Sequence, residues 1–394
     1  MESITPASLA KSKLATQYIF LICGLGISSW ATMVPFAKER LALNDGSLGL
    51  LLLLLGAGAI TMMPIGSIFI QRYGSRIIVL ISAILLSVTL PLLMIINNIA
   101  GMGVVLFLFG AGIGTIDVAM NAHAVHVQNQ FQKPIMSYIH GLFSVGGLLG
   151  SIGLGFLIQL GLSPITAAVS IAVLLLLIVF GQYKYLLDGK TEKSISHSHV
   201  DGNSTTPKGS FTWLRKTVIY LGVLGFVVFL AEGAMLDWSA VFLRENRGVP
   251  IAWAGIGYAA FSIAMAVMRL VGDSIVSRID GKKVVVYGSL LGAFGLFLAV
   301  LTPWLITALA GFIFLGIGAA NIVPIFFSEG GRIKNVPAAI AIPAITTFGY
   351  AGQLAGPALL GFIAKHYSLP IAIGFTACLM LLVAVVYFFK PVKV

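Results

Sequence analysis

The chain has 394 residues, of which 58% are hydrophobic and only 9% charged, and its mean hydropathy is +1.02. A soluble domain of this length needs far more charge to cover its surface, whereas apolar runs of about 20 residues match a hydrocarbon core ~30 Å thick. The formal charge of +11 is scattered over short loops, without the stripe or aromatic-interleaved patch of a nucleic-acid surface, and Cys23 and Cys378 lie in apolar runs that suggest neither a disulfide framework nor a metal site.

Twelve membrane spans are predicted, near residues 15–37, 47–70, 76–96, 101–125, 137–160, 165–186, 217–243, 251–275, 283–302, 305–328, 338–363 and 368–389. The expected fold is therefore an all-α membrane protein. Residues 1–14 form an N-terminal tail, 15–186 one six-helix bundle, 187–216 a polar linker rich in Ser, Thr, Gly and Lys, 217–389 a second bundle, and 390–394 a C-terminal tail. Most Lys and Arg residues fall on the side of the two tails, so the positive-inside bias places both termini in the cytoplasm, and the expected location is the inner membrane. The Lys11/Lys13 flank leads into a span too long for a signal-peptide core. His197 and His199 in the linker lack the spaced partners of a metal site.

In chain order, span 1 carries Trp30 and Pro35, and Trp30 is a candidate to stack on a ligand. Span 4 carries Asp117 inside an apolar run, with Asn121 one turn on. A charge near the bilayer centre costs from about 3 kcal/mol upward, so it normally faces a protein interior or a water-filled path. Residues four apart share a helix face, so Asp117 and Asn121 offer an acceptor and an amide to one ligand or to each other. His123 and His126 approach the end of the span, where solvated or capping roles are expected. Span 5 opens with His140, a candidate proton relay at the inner mouth.

Span 7 carries Glu232, Asp237 and Trp238. Five residues put the two carboxylates ~140° apart around the helix, so separate roles are expected: Glu232 for coupling or ligand binding, Asp237 with Trp238 at the outer cavity or gate. A carboxylate buried in low dielectric resists ionisation, which suits it to exchange a proton. Span 8 supplies Arg269, whose alternatives are a local pair with Asp273 and a partner in the cavity, either an acidic group or an anionic substrate. Tyr350 and Gln353 in span 11 are candidates to complete a polar cavity.

The two halves repeat at an offset near 206 residues. Phe36 to Glu39 matches Phe242 to Glu245; Gly66, Arg72 and Gly110 match Gly272, Arg278 and Gly316; Gly146 and Gly150 match Gly352 and Gly356. Asp117 has no acidic counterpart, its equivalent being Val323, so it is expected to face Glu232 across a central cavity.

Parallel six-span repeats joined by a polar loop resemble the major facilitator superfamily. The segments GSIFIQRYGSR (66–76) and GDSIVSRIDGKK (272–283) look like its signature loop, although Gln71 stands where an acidic residue is expected. The segments DVAMNAHAVHV (117–127), KPIMSYIHGLFSVGG (133–147) and EGAMLDWSAVFL (232–243) are similar to the MosC-like, or YbjJ-like, branch, a distant relation of fucose-permease-like proton symporters. The resemblance implies two pseudo-symmetric bundles and a secondary transporter that moves a sugar, polyol or similar small polar metabolite by alternating access, driven by protons and without a cofactor. Efflux of a metabolite or toxic compound is the alternative, and a non-transporting sensor a lesser one. An enzyme is not expected, because no nucleophile–base pair or HExxH motif is present. Proton coupling falls to Asp117, Glu232 or Asp237; substrate contact to Asp117, Asn121, Trp30, Glu232, Trp238, Tyr350 and Gln353. Gating falls to Arg269, Asp273, Arg72, Arg278 and His140, in a protein expected to act as a monomer within the bilayer.

Overall fold

The computed structural model describes residues 6–130, 135–192, 215–333, 336 and 338–389. Its long helices are α1 (Pro6–Arg40), α2 (Asp45–Tyr73), α3 (Ser75–Ile95), α4 (Ile99–Asn129), α5 (Met136–Gln159), α6 (Pro164–Tyr183), α7 (Lys216–Arg247), α8 (Ile256–Arg278), α9 (Gly281–Leu301), α10 (Leu305–Ala319), α11 (Ile322–Gly330), α12 (Ala338–His366) and α13 (Leu369–Phe389). Among the described residues, eleven stretches are long and apolar enough to cross a membrane, with α10 and α11 together forming one of them.

That tenth span is predicted as a single run, and it breaks at Ala320–Asn321. Pro324 contributes, having no N–H for the Ala320 carbonyl four residues back, although Pro35, Pro64, Pro91, Pro343 and Pro357 lie inside helices that run on. The equivalent of Pro324 in the first half is Val118, and there α4 runs unbroken from residue 99 to 129.

The chain divides into two compact units, Met1–Leu41 with Leu54–Thr205, and Ala42–Leu53 with Thr206–Val394. In the first, α1 packs on α5, and α3 on α4 and α6; in the second, α7 packs on α12, and α9 on α10 and α13. The pairing scheme is the same one used twice. It recurs at single residues: a Cβ on Gly110 would collide with the Leu55 carbonyl, and a Cβ on Gly316, 206 residues later, would meet the carbonyl of Phe261, 206 residues after Leu55. Gly146 likewise lies on the Leu21 carbonyl and Gly352 on that of Phe226. Small residues at these crossings let backbones touch, which is how helices gain packing where lipid tails offer no hydrophobic contrast.

Two arginines close helix ends in the same repeated manner. The Arg40 guanidinium donates to the carbonyls of Leu93 (2.6 Å), Met94 (2.8 Å) and Ile96 (3.2 Å) at the end of α3. Arg247 donates to Ala299 and to Thr302 (2.6 Å) at the end of α9, and stacks 4.5 Å from the Phe242 ring centre. Each satisfies carbonyls that have no intrahelical partner.

Candidate functional site

In the first unit, α4 places Asp117 and Asn121 on one face, as four-residue spacing requires. The Asn121 amide donates to the Asp117 backbone carbonyl (2.8 Å) and to its Oδ1 (3.2 Å), so the two side chains first serve each other. Trp30 is fully enclosed, its ring centre 6.5 Å from that of Phe109, and its indole Nε1 is buried without a hydrogen-bond partner. With its faces covered by the bundle, this indole offers no stacking surface to a solute.

In the second unit, the helix geometry separates Glu232 from Asp237 as the sequence predicts. Arg269 of α8 reaches Glu232 of α7, with its guanidinium nitrogen 3.4 Å from Oε2. Glu232 Oε1 is buried and has no partner among the described residues, while the Arg269 side chain is 44% exposed. Of the two alternatives for Arg269, the acidic group deeper in the bundle is thus the one it contacts; the Asp273 side chain lies outside the described residues. Asn321, at the break between α10 and α11, donates to the Met268 carbonyl at 3.3 Å and packs on Gly272, beside the turn that carries Arg269.

Gln353 packs on Gly233, next to Glu232, and the Tyr350 ring lies 5.8 Å from that of Phe229. These contacts bring Gln353 into the neighbourhood of the Glu232–Arg269 pair. Asp237 is 6% exposed and makes no hydrogen bond or ion pair among the described residues. Trp238 beside it is fully buried, with an unpartnered Nε1, and its ring packs where Gly361 leaves room. Like Trp30, it is an enclosed indole.

Arg72 is exposed and stacks over Tyr73 at 5.2 Å, Arg278 is exposed, and His140 lies edge-on to Phe20 at 5.0 Å.

One polar cluster is absent from the sequence reading. Glu192, in the stretch read as linker, forms part of a helical turn over residues 189–192 and is only 4% exposed. Its Oε2 accepts the Ser75 backbone N–H at 2.9 Å, and its Oε1 accepts the Ser75 hydroxyl and lies 3.1 Å from His123 Nδ1. His123 is correspondingly 1% exposed, contrary to a solvated or capping role. His123 Nδ1 and Ser75 Oγ are 2.8 Å apart, so the network requires the proton on Nδ1, and Nε2 is left buried without a partner. Gly74 turns the chain into this cluster with φ +86, a left-handed value suited to glycine, and packs against Gly189. Burial alone would raise the Glu192 pKa, but the hydrogen bonds from His123 and from both Ser75 donors outweigh it and hold the carboxyl below its ordinary value. The serine, histidine and carboxylate do not form a hydrolytic triad, because the carboxylate sits on the serine side of the imidazole.

Parallel repeats, a broken tenth span and charged side chains inside helix bundles together describe a membrane carrier, and the family model for the Major Facilitator Superfamily matches residues 18–330. The chain belongs to the major facilitator superfamily. It is 45% identical over 372 residues to an uncharacterized MFS-type transporter of Yersinia pestis, covering 94% of both chains. It is also 30% identical over 371 residues to the membrane protein MosC of Rhizobium meliloti, covering 94% of this chain and 86% of that one. Among solved structures, the nucleoside transporter NupG superposes with a TM-score of 0.73 at 17% identity, covering 97% and 98% of the two chains. A bacterial homologue of the human lysosomal transporter Spinster, inward-facing and unoccupied, gives 0.77 at 15% identity, with 98% and 97% covered. These likenesses establish a multi-pass major facilitator transporter, a family of carriers and not of enzymes.

Proposed function

We propose that this major facilitator carries a small polar solute, of the sugar or polyol kind, by alternating access and couples its movement to protons, working as a monomer in the inner membrane with both termini in the cytoplasm. The Glu232–Arg269 pair is the observation that carries the reading. An intramembrane carboxylate and guanidinium are costly to keep and are retained where charge must move or bind. The contact is also single and long, one guanidinium nitrogen 3.4 Å from Oε2, so the fork is not committed to the carboxylate and a second acceptor can compete for it.

Protonation at the free Oε1 neutralises Glu232 and releases Arg269, whose planar fork then engages an acceptor oxygen of the solute; loss of the proton draws Arg269 back. Proton and solute thereby act on one guanidinium, and a difference in either affinity between the two access states suffices to drive transport. In the first unit, Asn121 steadies one Asp117 oxygen and leaves the other for a proton or a solute hydroxyl.

A thermal-shift screen of metabolites identifies the solute, since a ligand that binds the native state raises the apparent melting temperature. With that solute in proteoliposomes, Glu232→Gln and Asp117→Asn are expected to retain counterflow but to lose acceleration by an imposed proton gradient. Unchanged gradient-driven flux in both variants would rule out proton coupling through these residues.

A further inference from the structure

At one end of the first unit, the start of α1, the α2–α3 corner and the stretch following α6 enclose a cavity of about 220 Å³. Lys11, Arg76 and Lys184 line it together with Ser12, Asp188 and Thr191. The walls are fixed: Ser12 Oγ donates to the Tyr185 carbonyl at 2.7 Å, and Ser75, next to Arg76, is tied to Glu192. The three cations lie against aromatic faces, and Arg76 also feels the Asp188 carboxylate beyond ion-pair distance. Lys11 and Lys184 lie 5.7 and 5.0 Å from the centre of the Tyr185 ring, and Arg76 lies 4.1 Å from that of Tyr183. Arg76 Nε is buried with no partner.

Asp188 does not complete the set. Its Oδ1 accepts the Thr191 N–H at 2.8 Å as cap of the 189–192 turn, and among the described residues none of the three cations forms an ion pair with a carboxylate. Three positive groups and the single Asp188 carboxylate leave the cavity with net positive charge, which an entering anion offsets. We propose that this cavity binds a phosphate group, as carried by the headgroup of an anionic phospholipid or by a soluble phosphate ester. Lys11 and Lys184 supply point charges and Arg76 a forked donor. Basic pockets between membrane helices suit lipid headgroups, and tyrosines belong at the same interfacial depth. The site is independent of the transported solute: its failure leaves the Glu232–Arg269 reading standing, and the reverse also holds.

The test uses the purified, delipidated full-length protein in neutral detergent. Phosphatidylglycerol, phosphatidylcholine and glycerol 3-phosphate are titrated separately while the apparent melting temperature is followed. Phosphatidylglycerol is expected to stabilise at lower mole fraction than phosphatidylcholine. Lys11→Gln with Lys184→Gln is expected to weaken that response roughly thirtyfold, at about fivefold per lysine near a charged surface. Lys282→Gln with Lys283→Gln, an equal loss of charge in the other unit, is expected to leave the response intact. If glycerol 3-phosphate stabilises alone and competes with the lipid, the occupant is a soluble phosphate; if only the lipid acts, it is a headgroup. An equal response of the Lys11/Lys184 variant and the parent, or an equal loss in the Lys282/Lys283 control, overturns the site. Lys11 and Lys184 are exposed, so folding is expected to survive; should the double variant melt early without lipid, Lys184→Gln alone carries the test, with a loss of roughly fivefold expected and no loss overturning the site.

Discussion

Glu192 shows how one carboxylate fastens a segment that composition assigns to solvent. It holds two donors of Ser75 and meets His123, and because its folded pKa is lowered, the sign of its pH dependence follows. Its contribution is complete above the unfolded value, about 4.3, and is lost as pH falls through the depressed folded value. The protection of the Ser75 amide, its exchange relative to an unstructured amide at the same pH, should therefore be high at neutral pH and fall only in acid, below about pH 4. Glu192→Gln is expected to cost about 1–3 kcal/mol of local stability, by weakening a buried hydrogen-bonded charge, and to make exchange at Ser75 fast already at neutral pH. Slow exchange in that variant would show that Leu186 and Leu187, both buried, hold the segment by themselves.

At the scale of helices, the two units use the same crossings, so the same lesion has two addresses. Gly110→Val and Gly316→Val each push a side chain into the carbonyl of a neighbouring helix, at Leu55 and Phe261 respectively. Overpacking of this kind costs typically about 1–3 kcal/mol, and backbone is less forgiving than a side chain, so both variants are expected at or above that range in thermal unfolding. The arginine caps give a second matched pair. Removing Arg40 or Arg247 leaves α3 or α9 with uncapped terminal carbonyls, and charged hydrogen bonds of this type are worth about 1.5–3 kcal/mol net. Arg40→Ala and Arg247→Ala should each lower the melting temperature, and Arg40→Lys should recover only part of the loss, since an ammonium cannot span three carbonyls. Full recovery by lysine would show that charge, and not the fork, is what matters there.

For the whole molecule, the helices and the doubling are legible in the sequence because both depend on local composition: apolar runs mark spans, and glycines at a fixed offset mark crossings. Asp117 and Asn121 pair as helix spacing dictates, and Glu232 and Asp237 part company for the same reason. What local reasoning misses is tertiary. Nothing near Glu192 in the sequence announces Ser75 or His123, and Trp30 and Trp238 read as cavity aromatics although neighbouring helices enclose them. Pro324 distinguishes one of two equivalent spans, but proline alone does not announce the break, since Pro64 and Pro91 lie inside continuous helices.

The caps also change what each unit presents to its surroundings. The carbonyls at a helix end carry about half a unit of negative charge, and a guanidinium seated on them gives up much of its own field. Arg40 and Arg247 are two such guanidiniums, one in each unit. Each helix end therefore presents less charge to water or to lipid headgroups than its formal count implies.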